Sequence, residues 1–271
     1  MAVKSSKVVV LNFPFSPKPY TGELDWIHFF VVKRDVKVIA TPLMMRKEDF
    51  ALFSGLKSVK VLPVDSFDTC DRWKVGLKEA LALGADYCFL WSADFFKNHN
   101  SMGAASLLLD HPGNEDLVVG TIRASGTKEA IDVHGTYRLL QIWFPDEAKV
   151  VLEDKRLTKP RSELFRISSH FLTSCLQKRW YPTEQTIHLI LQAIWSGNPA
   201  CVAALSLPSL SDDPSFRGSF KGTIQQLERM NLWLKYMWWD RHPQFTLDEY
   251  IRNCQLAFDA VQEACRAIHN Q

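Results

Sequence analysis

The sequence predicts an α/β protein: a mainly parallel open sheet with helices on both faces, followed by a helical hairpin at the C-terminal end. Three observations carry that prediction. Short apolar runs alternate with helical ones through the first half of the 271 residues, the pattern of parallel strands joined by crossover helices. The first run, residues 7–13, is apolar without alternation, as in a strand covered on both faces. Near the other end Ile251, Cys254, Phe258, Val261, Cys265 and Ile268 recur at three- and four-residue steps, the stripe of an amphipathic helix.

Taken in order, residues 7–13 form the first strand, 24–33 a helix, 36–40 a strand, 46–52 a short helix and 59–64 a third strand. Residues 71–83 follow as a helix, with Trp73, Leu77, Ala80 and Leu81 on one face. Residues 87–91 are the fourth strand, 101–109 a helix and 117–122 another strand. From 131 to about 157 the pattern reads as strands with turns, DVHGTYRLLQIWF and then KVVLEDKRL. Helices are expected over 169–177 and 183–195, the second stopped by Gly197-Asn198-Pro199. Residues 207–222 are the longest turn-rich stretch, either a lid or a plain connection. A helix over 224–239 leads to a capping box at Thr246 and Glu249, with Phe245 and Tyr250 as its hydrophobic staple. The chain thus divides at 1–218 and 219–271. The hairpin's stripe must bury against the main domain, the preceding helix or a partner chain, which makes a homo-oligomer through the C-terminal helices an expectation.

Composition excludes several classes. A hydrophobic content of 46% and a charged content of 23% are those of an ordinary globular protein. A formal net charge of +2 carries no polyelectrolyte signature, so nucleic acid is not an expected partner. No apolar run approaches the ~20 residues of a membrane span, and the apolar part of MAVKSSKVVVLNF is too short for a signal peptide. The six cysteines are scattered without C-x-x-C spacing and read as buried thiols in a reducing, cytoplasmic setting. Phe13-Pro14-Phe15-Ser16-Pro17 follows the first strand where a dinucleotide fold would carry G-x-G-x-x-G, and no P-loop motif occurs.

The chemistry concentrates in residues 73–95, WKVGLKEALALGADYCFLWSADF: a helix, Leu83-Gly84-Ala85-Asp86, an apolar strand, then Asp94 just past its end. Open α/β sheets bind ligands outside the carboxyl ends of their strands. A carboxylate there can hold a hard cation against a phosphate-bearing ligand. Ala80, Gly84, Ala85, Asp86, Tyr87, Ser92 and Asp94 resemble the A-x-x-x-G-A-D-Y, strand, D-x-D pattern of Rossmann-like GT-A glycosyltransferases. Ser92 stands where the first Asp of that motif usually is.

That resemblance implies a transferase that moves a sugar from a nucleotide-diphosphate sugar to a glycan or other hydroxyl acceptor with Mn²⁺ or Mg²⁺. Asp94 would be the metal ligand, with Ser92 beside it. Asn12, Phe13 and Pro14 after the first strand, and Asp65 and Ser66 after the third, would hold the nucleoside. Arg72 and Lys74 fall near the diphosphate, although Trp73-Lys74 replaces the usual Arg-Asn pair. His134-Gly135-Thr136-Tyr137 lies in the region that approaches the donor sugar, and Arg161 on the acceptor side. Glu184, opening the helix after Trp180-Tyr181-Pro182-Thr183, matches the first acid of the E-D pair that supplies the catalytic base in inverting members; Gln185 replaces the second. Glu184 read by itself is equally a first-turn acid favoured by the helix dipole. The missing first Asp leaves an alternative: a catalytically inactive domain of the same fold that serves binding or assembly.

Overall fold

The computed structural model describes residues 6–12, 21–43, 45–66, 68–92, 101–122, 127–153, 164–179, 185–196, 202–207 and 220–269. A seven-stranded sheet runs through its centre in the order β3-β2-β1-β4-β6-β5-β7. The strands are β1 (Lys7–Asn12), β2 (Lys37–Ala40), β3 (Val59–Val61), β4 (Tyr87–Ser92), β5 (Leu117–Ile122), β6 (Leu164–Ser168) and β7 (Val202–Leu207). Only β6 is antiparallel to its neighbours, inserted between β4 and β5.

The unbroken apolar character of β1 has the predicted cause. Val9 and Leu11 face one layer, built from Trp26 and Phe30, Phe53, Ala104 and Leu108. These come from α1 (Thr21–His28) with its π-helical continuation Phe29–Lys33, from α2 (Lys47–Ser54) and from α4 (Ser101–Leu109). Val8 and Val10 face the other layer, where Trp73 and Leu77, Phe171 and Leu172, and Leu189 and Ile190 pack. Those belong to α3 (Thr69–Ala82), α7 (Ser169–Leu176) and α8 (Gln185–Trp195). Helices therefore cover both faces.

The segment 83–87 has a structural task. Gly84 adopts φ +72 and closes α3, with Ala85 N–H donating to the Ala80 carbonyl at 3.2 Å; a side chain there would meet the left-handed penalty. Asp86 Oδ2 then accepts from Ser6 N–H at 2.6 Å. The chain is thus turned straight from α3 into β4 and tied to the entry of β1. Gly76 serves differently. A Cβ on it would lie 2.4 Å from Val10 Cγ1 and 3.0 Å from Thr41 Cγ2, so its absence lets α3 press onto β1 and β2.

Three expectations are corrected. Residues 127–153 are α5 (Thr127–Trp143) and α6 (Pro145–Glu153), not strands. Leu139, Leu140, Trp143 and Phe144 in fact recur at helical spacing, and they enter a third core. Gly135, which reads as a turn signal, sits in mid-helix because a Cβ would lie 2.7 Å from Leu227 Cδ1. Second, Val202–Leu207 is an edge strand the sequence reading lacks.

The third correction concerns the hairpin of α9 (Phe220–Arg241) and α10 (Leu247–His269). Its start is as expected: Glu249 N–H donates to Thr246 Oγ1 at 3.2 Å, and the Phe245 and Tyr250 rings are 5.7 Å apart. Yet α10 buries Ala257, Ala260, Val261 and Ala264 against α5 and α9, while Ile251 and Phe258 stay more than half exposed. Small residues allow the closer helix approach, which turns the larger ones outward. No described helix is long and apolar enough to cross a membrane.

Candidate active site

The site is defined by where the parallel strands stop. Strand pairing puts Asn12 directly beside Ser92, and Leu11 between Ala40 and Trp91. Thr41 continues β2 to the same level, where its N–H and Oγ1 both donate to the Leu11 carbonyl at 2.9 and 3.3 Å. Beyond β3 the chain stays alongside β2: Leu62 N–H reaches the Ala40 carbonyl at 2.8 Å and Val64 N–H that of Pro42 at 3.0 Å. Asp65 and Ser66 therefore lie past the ends of β2 and β3.

There they meet the first turns of α3. Asp68 caps the helix, its carboxylate accepting from Cys70 N–H at 2.7 Å. Ser66 Oγ donates to Asp71 Oδ2 at 2.9 Å and accepts from Asp68 N–H at 3.1 Å. Arg72, buried, donates from Nη1 to the Ser66 carbonyl at 2.8 Å. The structure thus unites Ser66 and Arg72 in one braced turn, with Asp65 exposed on it and Lys74 half-buried further along α3. Thr41 and Asp68 complete this corner without having been singled out. The signal for Asp68 was present, since Asp-Thr-Cys before an amphipathic run is an N-cap pattern. Arg72 stands at this corner among the carboxylates of Asp65, Asp68 and Asp71.

The other sequence candidates divide by position. Asn12 and Ser92 end adjacent strands. Phe13, Pro14, Asp94, Arg161 and Glu184 lie outside the described residues. Their chain neighbours can still be placed. Six residues separate α8 from β7, so α8 ends near the start of that strand and begins, at Gln185, toward the rim. Antiparallel β6 starts there too, with Leu164 paired to Trp91. His134 to Tyr137 all lie on α5, where Gly135 meets Leu227 of α9, His134 is exposed and Tyr137 packs against the core between the sheet and α3. His188 is buried on α8, and burial, with Lys178 nearby, pushes its pKa down to about 4, so it is neutral at pH 7. Among the described residues no group of three His, Cys, Asp or Glu could hold a metal.

Beneath the end of β4, Trp91 is walled by Trp26 at 5.3 Å and Phe30 at 6.3 Å between ring centroids. This packing fixes the strand end that precedes Asp94.

No family model matches the chain, and no characterised protein matches it significantly by sequence. Solved structures do match. Glucosyl-3-phosphoglycerate synthase from Mycobacterium tuberculosis aligns with a TM-score of 0.59 at 17% identity, over 85% of this chain and 79% of that one. Mannosyl-3-phosphoglycerate synthase from Rubrobacter xylanophilus aligns with a TM-score of 0.62 at 11% identity, over 90% and 77%. This chain has the GT-A fold of nucleotide-sugar glycosyltransferases. The mycobacterial enzyme has also been solved with Mn²⁺ and uridine-diphosphate-glucose, and that complex aligns with a TM-score of 0.58 at 16% identity, over 83% of this chain and 76% of that one. Open α/β sheets bind ligands outside the carboxyl ends of their strands, the end where Asn12, Thr41, Ser92 and the start of α3 lie here.

Proposed function

We propose that this protein is a metal-dependent hexosyltransferase that moves a sugar from a nucleotide-diphosphate sugar to an acceptor hydroxyl. The observation that carries the reading is the register placing Ser92 beside Asn12 at the carboxyl end of the sheet, two residues before Asp94. The fold shared with enzymes solved with Mn²⁺ and uridine-diphosphate-glucose supports it.

The donor set fits a hard cation. Asp94 offers a carboxylate and Ser92 a hydroxyl, and Mn²⁺ or Mg²⁺ binds through one or two carboxylates with phosphate oxygens and water filling the rest. Such an ion neutralises charge on a departing diphosphate. Arg72 and Lys74, in the first turns of α3, add positive charge beside that diphosphate. Asn12, Phe13 and Pro14 hold the base and ribose from one side, and Asp65 and Ser66 from the other. Glu184, the residue before α8, takes the acceptor proton as the hydroxyl attacks. A single in-line attack of this kind inverts the anomeric centre.

Residues 1–218 would form the transferase domain and 219–271 the appended hairpin, through which the chain self-associates. A cytoplasmic setting suits Cys88 and Cys175, buried thiols that burial pushes up to about 12 and 11.

The test is transfer from a panel of uridine- and guanosine-diphosphate hexoses to hydroxyl acceptors, phosphoglycerate included, with the product's anomeric configuration read by NMR. Turnover that requires Mn²⁺ or Mg²⁺ and vanishes in Asp94→Ala supports the proposal. Binding without turnover for every donor and acceptor would favour the assembly-module alternative.

A further inference from the structure

Helix α10 carries two apolar stripes, and only one is buried. The second, Leu247, Ile251 and Phe258 at four- and seven-residue steps, is 68%, 55% and 57% exposed. Beside it α9 exposes Leu232, Tyr236 and Trp239. The two helices pack side by side, and Trp239 meets Tyr250 edge-on at 5.4 Å and Phe245 at 4.8 Å where they turn into one another. Six large side chains at roughly half exposure present on the order of 600 Å² of apolar surface, the upper end of what monomers leave uncovered. A standard interface buries about 800 Å² per partner.

The solvent-side edge of the stripe carries Asp248, Gln255, Asp259, Gln262 and Arg266. Acid stands at its start and base at its end, about five helical turns apart. This polarity is self-complementary only when reversed. A parallel copy sets Asp248 against Asp248 and Arg266 against Arg266. An antiparallel copy turned about an axis at Ala257, midway between 248 and 266, sets each Asp248 against an Arg266. It also sets Gln255 against Asp259, and brings the two Phe258 rings together near the axis.

We infer that the exposed α9–α10 face is the contact with a second copy of this chain, its α10 helices packed antiparallel with Asp248 and Arg266 paired at both ends. The inference gives a register to the self-association proposed for the hairpin and needs nothing of the glycosyl-transfer reading.

Sedimentation velocity on the full chain, from low to high micromolar concentration, tests it. The wild type runs as a dimer. Phe258→Glu, a substitution at an exposed position whose fold is checked by circular dichroism, raises the dissociation constant at least about tenfold. Asp248→Arg and Arg266→Asp each weaken the dimer, and the double variant restores it. A wild type that stays monomeric, or a dimer indifferent to Phe258→Glu, overturns the interface. A dimer that Phe258→Glu disrupts but the paired charge reversal fails to restore overturns the antiparallel register while leaving self-association standing.

Discussion

Replacing Gly76 by alanine tests how α3 is seated, and with it the corner that carries Ser66 and Arg72. The new Cβ would lie 2.4 Å from Val10 Cγ1 and 3.0 Å from Thr41 Cγ2. Non-bonded carbons sit at about 3.5–4.0 Å, so one side must retreat by about 1 Å. Val10 cannot do so cheaply: it is fully buried, β-branched, and on a strand paired on both sides. Alanine gains about 1 kcal/mol of helix propensity over glycine. Overpacking costs about 1–3 kcal/mol, and a clash this deep against backbone-anchored atoms belongs at the upper end. The net is a loss of about 2 kcal/mol, read as a melting midpoint lower by roughly 4–8 °C. In a Val10→Ala background the clashing methyl is gone, and Gly76→Ala becomes neutral or slightly stabilising. An equal loss in both backgrounds would refute the close-approach argument.

Other expectations follow from the same contacts. Arg166 is buried on β6 and donates to the His111 and Gly113 carbonyls at 2.8 and 2.7 Å, with its guanidinium 4.7 Å over the Tyr87 ring. Arg166→Met should cost about 3 kcal/mol in urea unfolding, and Lys should not restore it because the planar fork is lost. His188 is a base held neutral by burial, its pKa about 4 against the ordinary 6.5. As pH falls below 6.5 the unfolded chain gains a proton that the folded chain refuses until near pH 4. Stability therefore drops across that window by about 3 kcal/mol, and His188→Gln should flatten the pH dependence of the melting temperature. Thr246→Ala removes the hydroxyl that accepts from Glu249 N–H and should cost about 1 kcal/mol by thermal melt. Glu184→Gln should leave donor affinity nearly unchanged while lowering turnover at least ~100-fold; unaltered turnover removes Glu184 from the mechanism.

The sequence and the structure agree best where one residue has one physical reason to be there. The run Val8 to Leu11 could only be a strand covered twice, and Gly84 could only end a helix. Agreement failed where a residue's reason lay in a distant partner. Gly135 is a turn signal until Leu227 of α9 is seen against it. Val202–Leu207 is a short apolar run with no local mark, made a strand by pairing with β5. In α10 the three- and four-residue stripe combines Val261, which is buried, with Ile251 and Phe258, which are exposed, because the alanines that permit close helix packing form most of the buried face. At the candidate site, chain order after β3 already places Asp65, Ser66 and Arg72 close to one another, as the structure has them. The place of Thr41 depends on hydrogen bonds to the Leu11 carbonyl that no motif announces, whereas Asp68 carries an N-cap pattern in the sequence itself.

Calorimetric titration of uridine diphosphate into the 271-residue chain, with and without Mn²⁺, bears most directly on whether the rim is a metal-assisted donor site. Binding that strengthens at least tenfold with the ion in the wild type and loses that gain in Asp94→Ala is the expected result. Affinity for uridine and guanosine diphosphates that is indifferent to divalent ions, with Asp94→Ala equal to the wild type, would contradict it.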